Sequence, residues 1–98
     1  MAFLLSEQIV ATAVVKTVTS LTVPAEATGA QLQSDTNDVR YTMDDATDPT
    51  QTEGMILVNG LDPEEFLIGD VRKIRFIRGA ASDGNLNIHY YTGRIVSS

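Results

Sequence analysis

Gly, Pro, Asn and Asp residues interrupt this sequence at intervals of about ten residues, and this spacing constrains the fold more than any other feature. The clearest turn signals are residues 24–29 (PAEATG), 34–38 (SDTND), 59–60 (NG) and 79–84 (GAASDG). Between them, apolar and polar side chains alternate, as in residues 39–43 (VRYTM) and 85–91 (NLNIHYY). We therefore predict a single all-β domain of roughly seven to eight short strands, folded as an antiparallel β-sandwich or a small jelly-roll-like barrel.

One segment is less regular than this pattern. Residues 9–23 (IVATAVVKTVTSLTV) are rich in Val and Thr, which favour strands, but the run is too long for one typical strand. It predicts two strands, or one strand with a bulge or bend near residues 16–19. A helix over residues 6–15 is the weaker alternative because many of these residues are β-branched. Further strands are predicted at residues 30–33, 54–58, 66–68 and 71–78.

The 98 residues suffice for one domain. Apolar residues make up 43% of the chain and there is no Trp, so the core must consist mainly of Val, Ile and Leu. Alternation predicts that the inward-facing residues include Val39, Tyr41, Met43, Leu86, Ile88 and Tyr90. A core with so few large side chains favours stabilisation by a partner or by self-association.

The chain divides into one domain and two short ends. Residues 9–93 are predicted to form the β-sandwich, residues 94–98 a C-terminal tail and residues 1–8 an apolar N-terminal arm. Phe3, Leu4 and Leu5 have no obvious role within the domain, so we expect them to contact a partner that buries them. No signal peptide or membrane span is evident, which predicts a soluble protein made in the cytoplasm.

The inventory of chemically active side chains is small. There is no Cys and only one His, His89, so neither a catalytic triad nor a typical zinc site is indicated. Thirteen acidic residues against seven basic ones give a net charge of −6, which argues against nucleic acid and favours a neutral or basic protein partner. We predict no catalytic residue, no cofactor and no metal ion, and therefore no enzymatic activity.

The longest polar stretch, residues 44–53 (DDATDPTQTE), is predicted to be an exposed loop. Pro49 restricts the backbone of Asp48 to an extended conformation. The loop is therefore either a rigid docking surface, in which Asp48, Pro49 and Thr50 contact a neighbouring subunit, or simply the connection of a hairpin. A Ca²⁺ site is a further alternative, but the ligand spacing of an EF-hand is absent and a solvated loop is the simpler interpretation.

Four basic residues cluster near the last strands: Arg72, Lys73, Arg75 and Arg78. On a strand these charges divide between two faces, so they form no continuous track for phosphates. They either pair with acids on adjacent strands, or Arg75 and Arg78 bind the acids of a partner across an interface. Tyr91 is predicted to lie on the outer face of the last strand, and exposed tyrosines often anchor interfaces, so it is a further candidate contact.

Four sequence segments follow one another in a specific order, and the second of them contains a loop rich in Thr and Pro. The segments are VPA-x-AT-x-A at residues 23–30, VRYT-x-DD-x-T-x-PT-x-T-x-G at residues 39–54, IRFI at residues 74–77 and LNIHYY at residues 86–91. This order resembles small virion-associated structural proteins of tailed bacteriophages. The likeness covers residues 23–91 and is most specific at residues 40–54, while the acidic insertion at residues 62–65 (DPEE) departs from it.

The resemblance implies a structural component of the virion, made in the host cytoplasm. The preferred interpretation is a capsid cement or decoration protein that binds between major capsid protein subunits and stabilises the shell. It implies a homo-oligomer, with a trimer favoured, and no contact with nucleic acid or membrane. The alternative is a small tail, head–tail or fibre-associated protein, including a carbohydrate- or receptor-binding module.

Overall fold

The computed structural model describes residues 2–93, so Met1 and the predicted tail at residues 94–98 lie outside the described residues. The strands are β1 (Ala2–Ala11), β2 (Lys16–Thr17), β3 (Gly29–Asp35), β4 (Val39–Thr42), β5 (Met55–Leu57), β6 (Glu64–Leu67), β7 (Arg75–Arg78) and β8 (Gly84–Thr92). They form two four-stranded antiparallel sheets: sheet A in the order β1-β8-β3-β6, and sheet B in the order β2-β7-β4-β5. The prediction of a small all-β sandwich is confirmed.

The core lies between the sheets and takes side chains from alternating strand positions. Leu86, Ile88 and Tyr90 of β8 are buried, as are Val39 and Tyr41 of β4, which confirms the predicted inward faces of these two strands. Each fully buried aliphatic side chain stabilises the fold by about 1.5–3 kcal/mol.

A buried polar contact also crosses this core. The Ser34 hydroxyl of β3 donates a 2.7 Å hydrogen bond to the Leu57 carbonyl of β5, and thereby links sheet A to sheet B.

Residues 9–23 contain two strands, which was one of the two predicted alternatives, whereas residues 71–78 form a shorter strand than predicted. Residues 9–23 contain the end of β1 and the short strand β2, which is followed by a 3₁₀ turn at Val18–Ser20 that the Thr17 hydroxyl caps. Residues 71–78 are a strand only over β7, because Ile68–Val71 form one helical turn, α1. This turn brings Ile68, Val71 and Ile74, which are spaced by three residues, towards the core. Arg72 and Lys73 are consequently exposed beside the turn and are not strand residues.

Residues 2–8, which were predicted to form a separate arm, belong to β1. The pairing of β1 with β8 runs from Ala2 opposite Thr92 to Ala11 opposite Gly84, with an irregularity between Phe3 and Leu5. This bulge places Phe3 beside Tyr91 and Leu5 beside Tyr90, so the run of apolar residues contacts both faces of the sheet. The bulge conceals the alternation, which is why the sequence did not indicate a strand.

Tyr91 is buried, with 4% of its surface exposed, and the prediction that it is exposed is wrong. Its ring lies across Gly29 of the neighbouring strand, where a Cβ atom would come within 2.3 Å of the phenol oxygen. Phe3 packs edge-on against the same ring, with 6.1 Å between the ring centroids. The missing side chain of Gly29 thus leaves room for Tyr91 to lie against the sheet.

Candidate functional site

The outer face of sheet B is covered by residues 44–53. The Arg40 guanidinium donates hydrogen bonds to the carbonyls of Gln51 (3.1 Å) and Gly54 (2.9 Å). The Arg75 guanidinium donates to the Asp48 carboxylate (2.7 Å) and to the Asp45 carbonyl (2.8 Å). Because both arginines arise from central strands of the sheet, they hold the loop against it.

The same loop is also bonded to itself. The Asp44 carboxylate accepts hydrogen bonds from the backbone N–H groups of Thr47 (2.9 Å) and Ala46 (3.0 Å), and these bonds lower the pKa of Asp44 to about 2. The Thr50 hydroxyl accepts from the N–H groups of Thr52 and Glu53 in the same way. The acidic side chains therefore act as turn caps and as partners of Arg75. Within residues 2–93, no group of three or more His, Cys, Asp or Glu is arranged to hold a metal ion.

These contacts revise several of the predicted interface residues. Pro49 is a buried residue of this loop, so the prediction that its side chain is available to a partner is wrong. Its neighbours Asp48 and Thr50 are exposed. Arg75 is bound to Asp48, and Arg78 is bound to Asp83 at 2.9 Å, so both guanidinium groups have partners within the chain. The physical reason is that neighbouring loops of the same chain place Asp48 and Asp83 within hydrogen-bonding distance of the two arginines. Solvent screens partly exposed pairs of this kind, so each contributes little to stability.

One edge of sheet A is unlike the other sheet edges. Strand β1 pairs only with β8, and within the described residues its opposite edge makes no backbone hydrogen bond to another strand. The Val10 carbonyl on this edge accepts a hydrogen bond from the Lys16 ammonium group. In a strand, the N–H and C=O groups of one residue point to the same side, and those of the next residue point to the other side. The N–H and C=O groups of Ser6 and Gln8, which lie four and two residues before Val10, therefore also point away from β8. Phe3 and Leu5 remain 46% and 36% exposed.

Glu7 is the only charged residue of β1, and its carboxylate is bound by two hydrogen-bond donors of the same chain. Its carboxylate accepts hydrogen bonds from the Tyr90 hydroxyl (2.7 Å) and from the Thr22 backbone N–H (2.8 Å). Burial, and then the hydrogen bond to Glu7, raise the pKa of Tyr90. The carboxylate is thereby fixed at the margin of the core, and the charged group bound to the backbone of this edge is the Lys16 ammonium on the Val10 carbonyl.

The outer face of sheet A carries its side chains in rows across the strands. Phe3, Tyr91, Gly29 and Leu67 form an apolar row at one end. The next rows are polar and consist of Ser6, His89, Gln31 and Glu65, followed by Gln8, Asn87 and Gln33. Within these rows, a depression of about 300 Å³ is lined by Ser6, Gln31, Gln33, Asn87 and His89, together with Pro63 and Ile88.

His89, the only histidine, lies on this outer face as the alternation predicts, and it is half-buried. Its ring stacks on Phe3, with 3.6 Å between centroids and 18° between the ring planes. The stack joins the apolar row to the polar rows. Of the predicted interface residues, Phe3 therefore has a defined place beside the depression, Leu5 lies on the opposite face, and Leu4 packs partly against the core.

Comparison with known proteins gives no relative. The chain matches no family model, and no curated protein or solved structure shows significant similarity to it. Among residues 2–93 no helix is long and apolar enough to cross a membrane.

The amide-rich face was not predicted from the sequence, although part of its signal is visible there. Gln31 and Gln33 alternate with buried residues in β3, and Asn85, Asn87 and His89 do so in β8. The missing information was that β3 and β8 are neighbours, although they are far apart along the chain. Only this pairing brings the five side chains onto one surface.

Proposed function

We propose that the chain is a non-enzymatic structural protein of a tailed-phage virion, and that it decorates the capsid by binding between major capsid protein subunits. The phage-like order of segments supports the virion, and the open edge of β1 supports attachment to another protein. The edge of β1 is the single observation that carries the proposal. On this proposal, β1 adds its backbone groups to a strand of a capsid subunit and the exposed Leu5 side chain packs beside it.

The other three sheet edges make this observation specific. Soluble proteins protect sheet edges by short strands, charged residues or proline, because an exposed edge can pair with another chain. Strands β2 and β5 are only two and three residues long. Strand β6 carries Glu64 and Glu65 and follows Pro63. By contrast, β1 has ten residues and contains no Lys, Arg or Pro. The bulge between Phe3 and Leu5 and the Lys16 ammonium on the Val10 carbonyl lie towards the two ends of this edge, so the stretch at Ser6 and Gln8 is the part that is open to pairing with a partner.

Co-sedimentation with empty capsids of the encoding phage tests this proposal. We compare the variants Gln8→Pro and Gln8→Ala, which both lose the side-chain amide, whereas only the proline also removes the outward N–H group. Proline is tolerated on an edge strand where that N–H has no partner in the sheet, so both variants are expected to fold. Circular dichroism of each variant checks this.

We expect wild-type protein and Gln8→Ala to sediment with capsids, and Gln8→Pro to bind at least about tenfold more weakly, since the missing hydrogen bond also leaves a capsid carbonyl unpaired. Equal binding of the two variants would contradict the role of the edge. Binding of the wild-type chain to purified tails, and not to capsids, would favour the tail-associated alternative.

The proposal includes a homotrimer, which the phage resemblance favours. Light scattering of the purified chain is then expected to give three times the monomer mass of 10.6 kDa. A mass of one chain at all concentrations would remove the trimer from the proposal and leave the capsid contact to the single chain.

A further inference from the structure

We propose that the depression on the outer face of sheet A binds a neutral saccharide. It is lined by Ser6, Gln31, Gln33, Pro63, Asn87 and His89. Its volume of about 300 Å³ lies at the lower end of the range of small-molecule sites, which suits a short saccharide. This inference goes beyond attachment to the capsid and does not depend on it, because the edge of β1 and the face of the sheet are different surfaces.

The side chains in this depression retain hydrogen-bonding capacity. Gln31 and Gln33 use their amide nitrogens on Glu65 (3.1 Å) and on the Leu61 carbonyl (2.9 Å), so their oxygens point to no described donor. Asn87 accepts from the Gln8 amide (2.8 Å), and its own nitrogen donates to no described acceptor. The bonds already made hold these side chains in place while the remaining groups stay available for a ligand.

Such a surface matches the chemistry of sugar hydroxyls. Each hydroxyl group both donates and accepts hydrogen bonds, and an amide side chain offers one group of each kind at a fixed separation. The imidazole of His89, which makes no hydrogen bond within the described chain, adds a further donor or acceptor. Prior orientation of these groups lowers the entropy lost when a ligand binds.

The charge of this face argues for a neutral ligand. Of the basic residues that the structure describes, none lies on a strand of sheet A. The one carboxylate in the polar rows is that of Glu65, which lies at their margin and accepts a hydrogen bond from Gln31. An anionic saccharide or a phosphate group would therefore find no positively charged side chain to pair with on this face. A neutral saccharide needs no such partner.

The apolar row beside the depression provides the second element of a saccharide site. Phe3 is 46% exposed and stacks on His89, which itself lines the depression. Aromatic rings combine a large apolar surface with a fixed orientation, so Phe3 can pack against the C–H face of a sugar ring while the amides bind its hydroxyls. Phe3 does not itself line the depression, but it is the one exposed aromatic residue of the outer face and adjoins it through the His89 ring.

The test is binding of the purified full chain to an array of neutral and sialylated oligosaccharides, followed by NMR titration with the best-bound neutral hexose or N-acetylhexosamine oligosaccharide. Asn87→Ala and Gln33→Ala remove amides from the depression. Asn85→Ala is the matched control, because Asn85 lies on the same strand and face but does not line the depression.

We expect retention of at least one neutral oligosaccharide, with chemical shift changes at Gln31, Asn87 and His89. Each of the two depression variants is expected to weaken binding by about tenfold, and the control by less than about twofold. Retention of no oligosaccharide, retention of sialylated ones only, or equal weakening by Asn85→Ala and Asn87→Ala would each overturn the proposal. Capsid binding by Asn87→Ala is expected to be unchanged, which separates this outcome from the capsid experiment.

Discussion

The outer faces of the two sheets are built from different side chains and have different exposure. On sheet B, Arg40 and Arg75 bind the backbone and an acid of residues 44–53, so the face is covered by its own loop. On sheet A the described residues form no such cover: Phe3, Val10 and Leu67 are exposed, and the amides and the imidazole of the central strands are half-buried. The arginines and acids of sheet B thus bind one another, while the neutral side chains of sheet A and the edge of β1 are the surfaces that we propose for recognition.

The largest expected effect concerns the cover of sheet B. Arg40→Met keeps an unbranched side chain but removes the hydrogen bonds to Gln51 and Gly54. We expect the free energy of unfolding to fall by about 2–3 kcal/mol, because bonds to a charged donor are the stronger class. Urea denaturation measures this change. Arg72→Met is the control, since Arg72 is exposed beside α1, and it should change stability by less than about 0.5 kcal/mol. Equal losses for both variants would show that the loop is not fastened by Arg40.

A somewhat smaller effect is expected at the apolar end of sheet A. Gly29→Ala places a methyl group within 2.3 Å of the Tyr91 hydroxyl, and the buried ring must shift to accommodate it. We expect a loss of about 1.5 kcal/mol, as is usual for overpacking, together with changed chemical shifts of Phe3 and Tyr91. Gly69→Ala is the control, because nothing lies within 4 Å of its added carbon. If Gly29→Ala were as stable as the control, the packing of Tyr91 across Gly29 would be incorrect.

A smaller and pH-dependent effect is expected from Asp44. Its pKa is lowered from 3.8 to about 2 by the backbone N–H groups that it accepts. A carboxyl group whose pKa is lower in the folded state stabilises the protein above its unfolded pKa, and this contribution is lost as the pH falls towards 2. The stability difference between wild type and Asp44→Asn should therefore be constant above about pH 5, fall as the pH decreases through 2, and vanish by about pH 1. A difference that is independent of pH would contradict this role.

The smallest effect is expected for the amide side chains on the outer face of sheet A. Asn87→Ala and Gln33→Ala should each change the free energy of unfolding by less than about 0.5 kcal/mol, because these side chains lie on an open face and bond only to other partly exposed groups. Thermal denaturation measures this. Losses as large as that of Arg40→Met would mean that the amides of sheet A are structural, and would remove the contrast between the two faces.

Much of the fold could be predicted from the sequence because antiparallel strands with one buried face alternate visibly. The alternation of residues 39–43 and 85–91 identified β4 and β8 and their inward residues correctly. The prediction failed where a contact distant in sequence decides the outcome. Tyr91 is buried only because its neighbour across the strands is Gly29, and Pro49 is buried only because the loop folds back onto sheet B. At Ile68, Val71 and Ile74 the β-branched residues masked a spacing of three that belongs to a helical turn.

The candidate surfaces were less predictable than the strands. The sequence drew attention to Phe3 and Leu5 as apolar residues without a role in the domain, but it could not indicate that β1 is paired on one side and open on the other. Arg75 and Arg78 were expected either to pair internally or to bind a partner, and the structure shows the internal pairs with Asp48 and Asp83. Which acids would reach them depends on the path of two loops, and local sequence patterns do not encode that path.

Hydrogen exchange, measured for the free chain and for the chain bound to empty capsids of the encoding phage, shows whether the edge of β1 pairs with a capsid subunit. Strand edges that lack partners exchange rapidly, and they become protected when a second strand pairs with them. We predict that the backbone amides of Ser6 and Gln8 exchange quickly in the free chain and become protected on the capsid, while residues 44–53 keep their rates. Protection confined to residues 44–53, with β1 unchanged, would contradict the account.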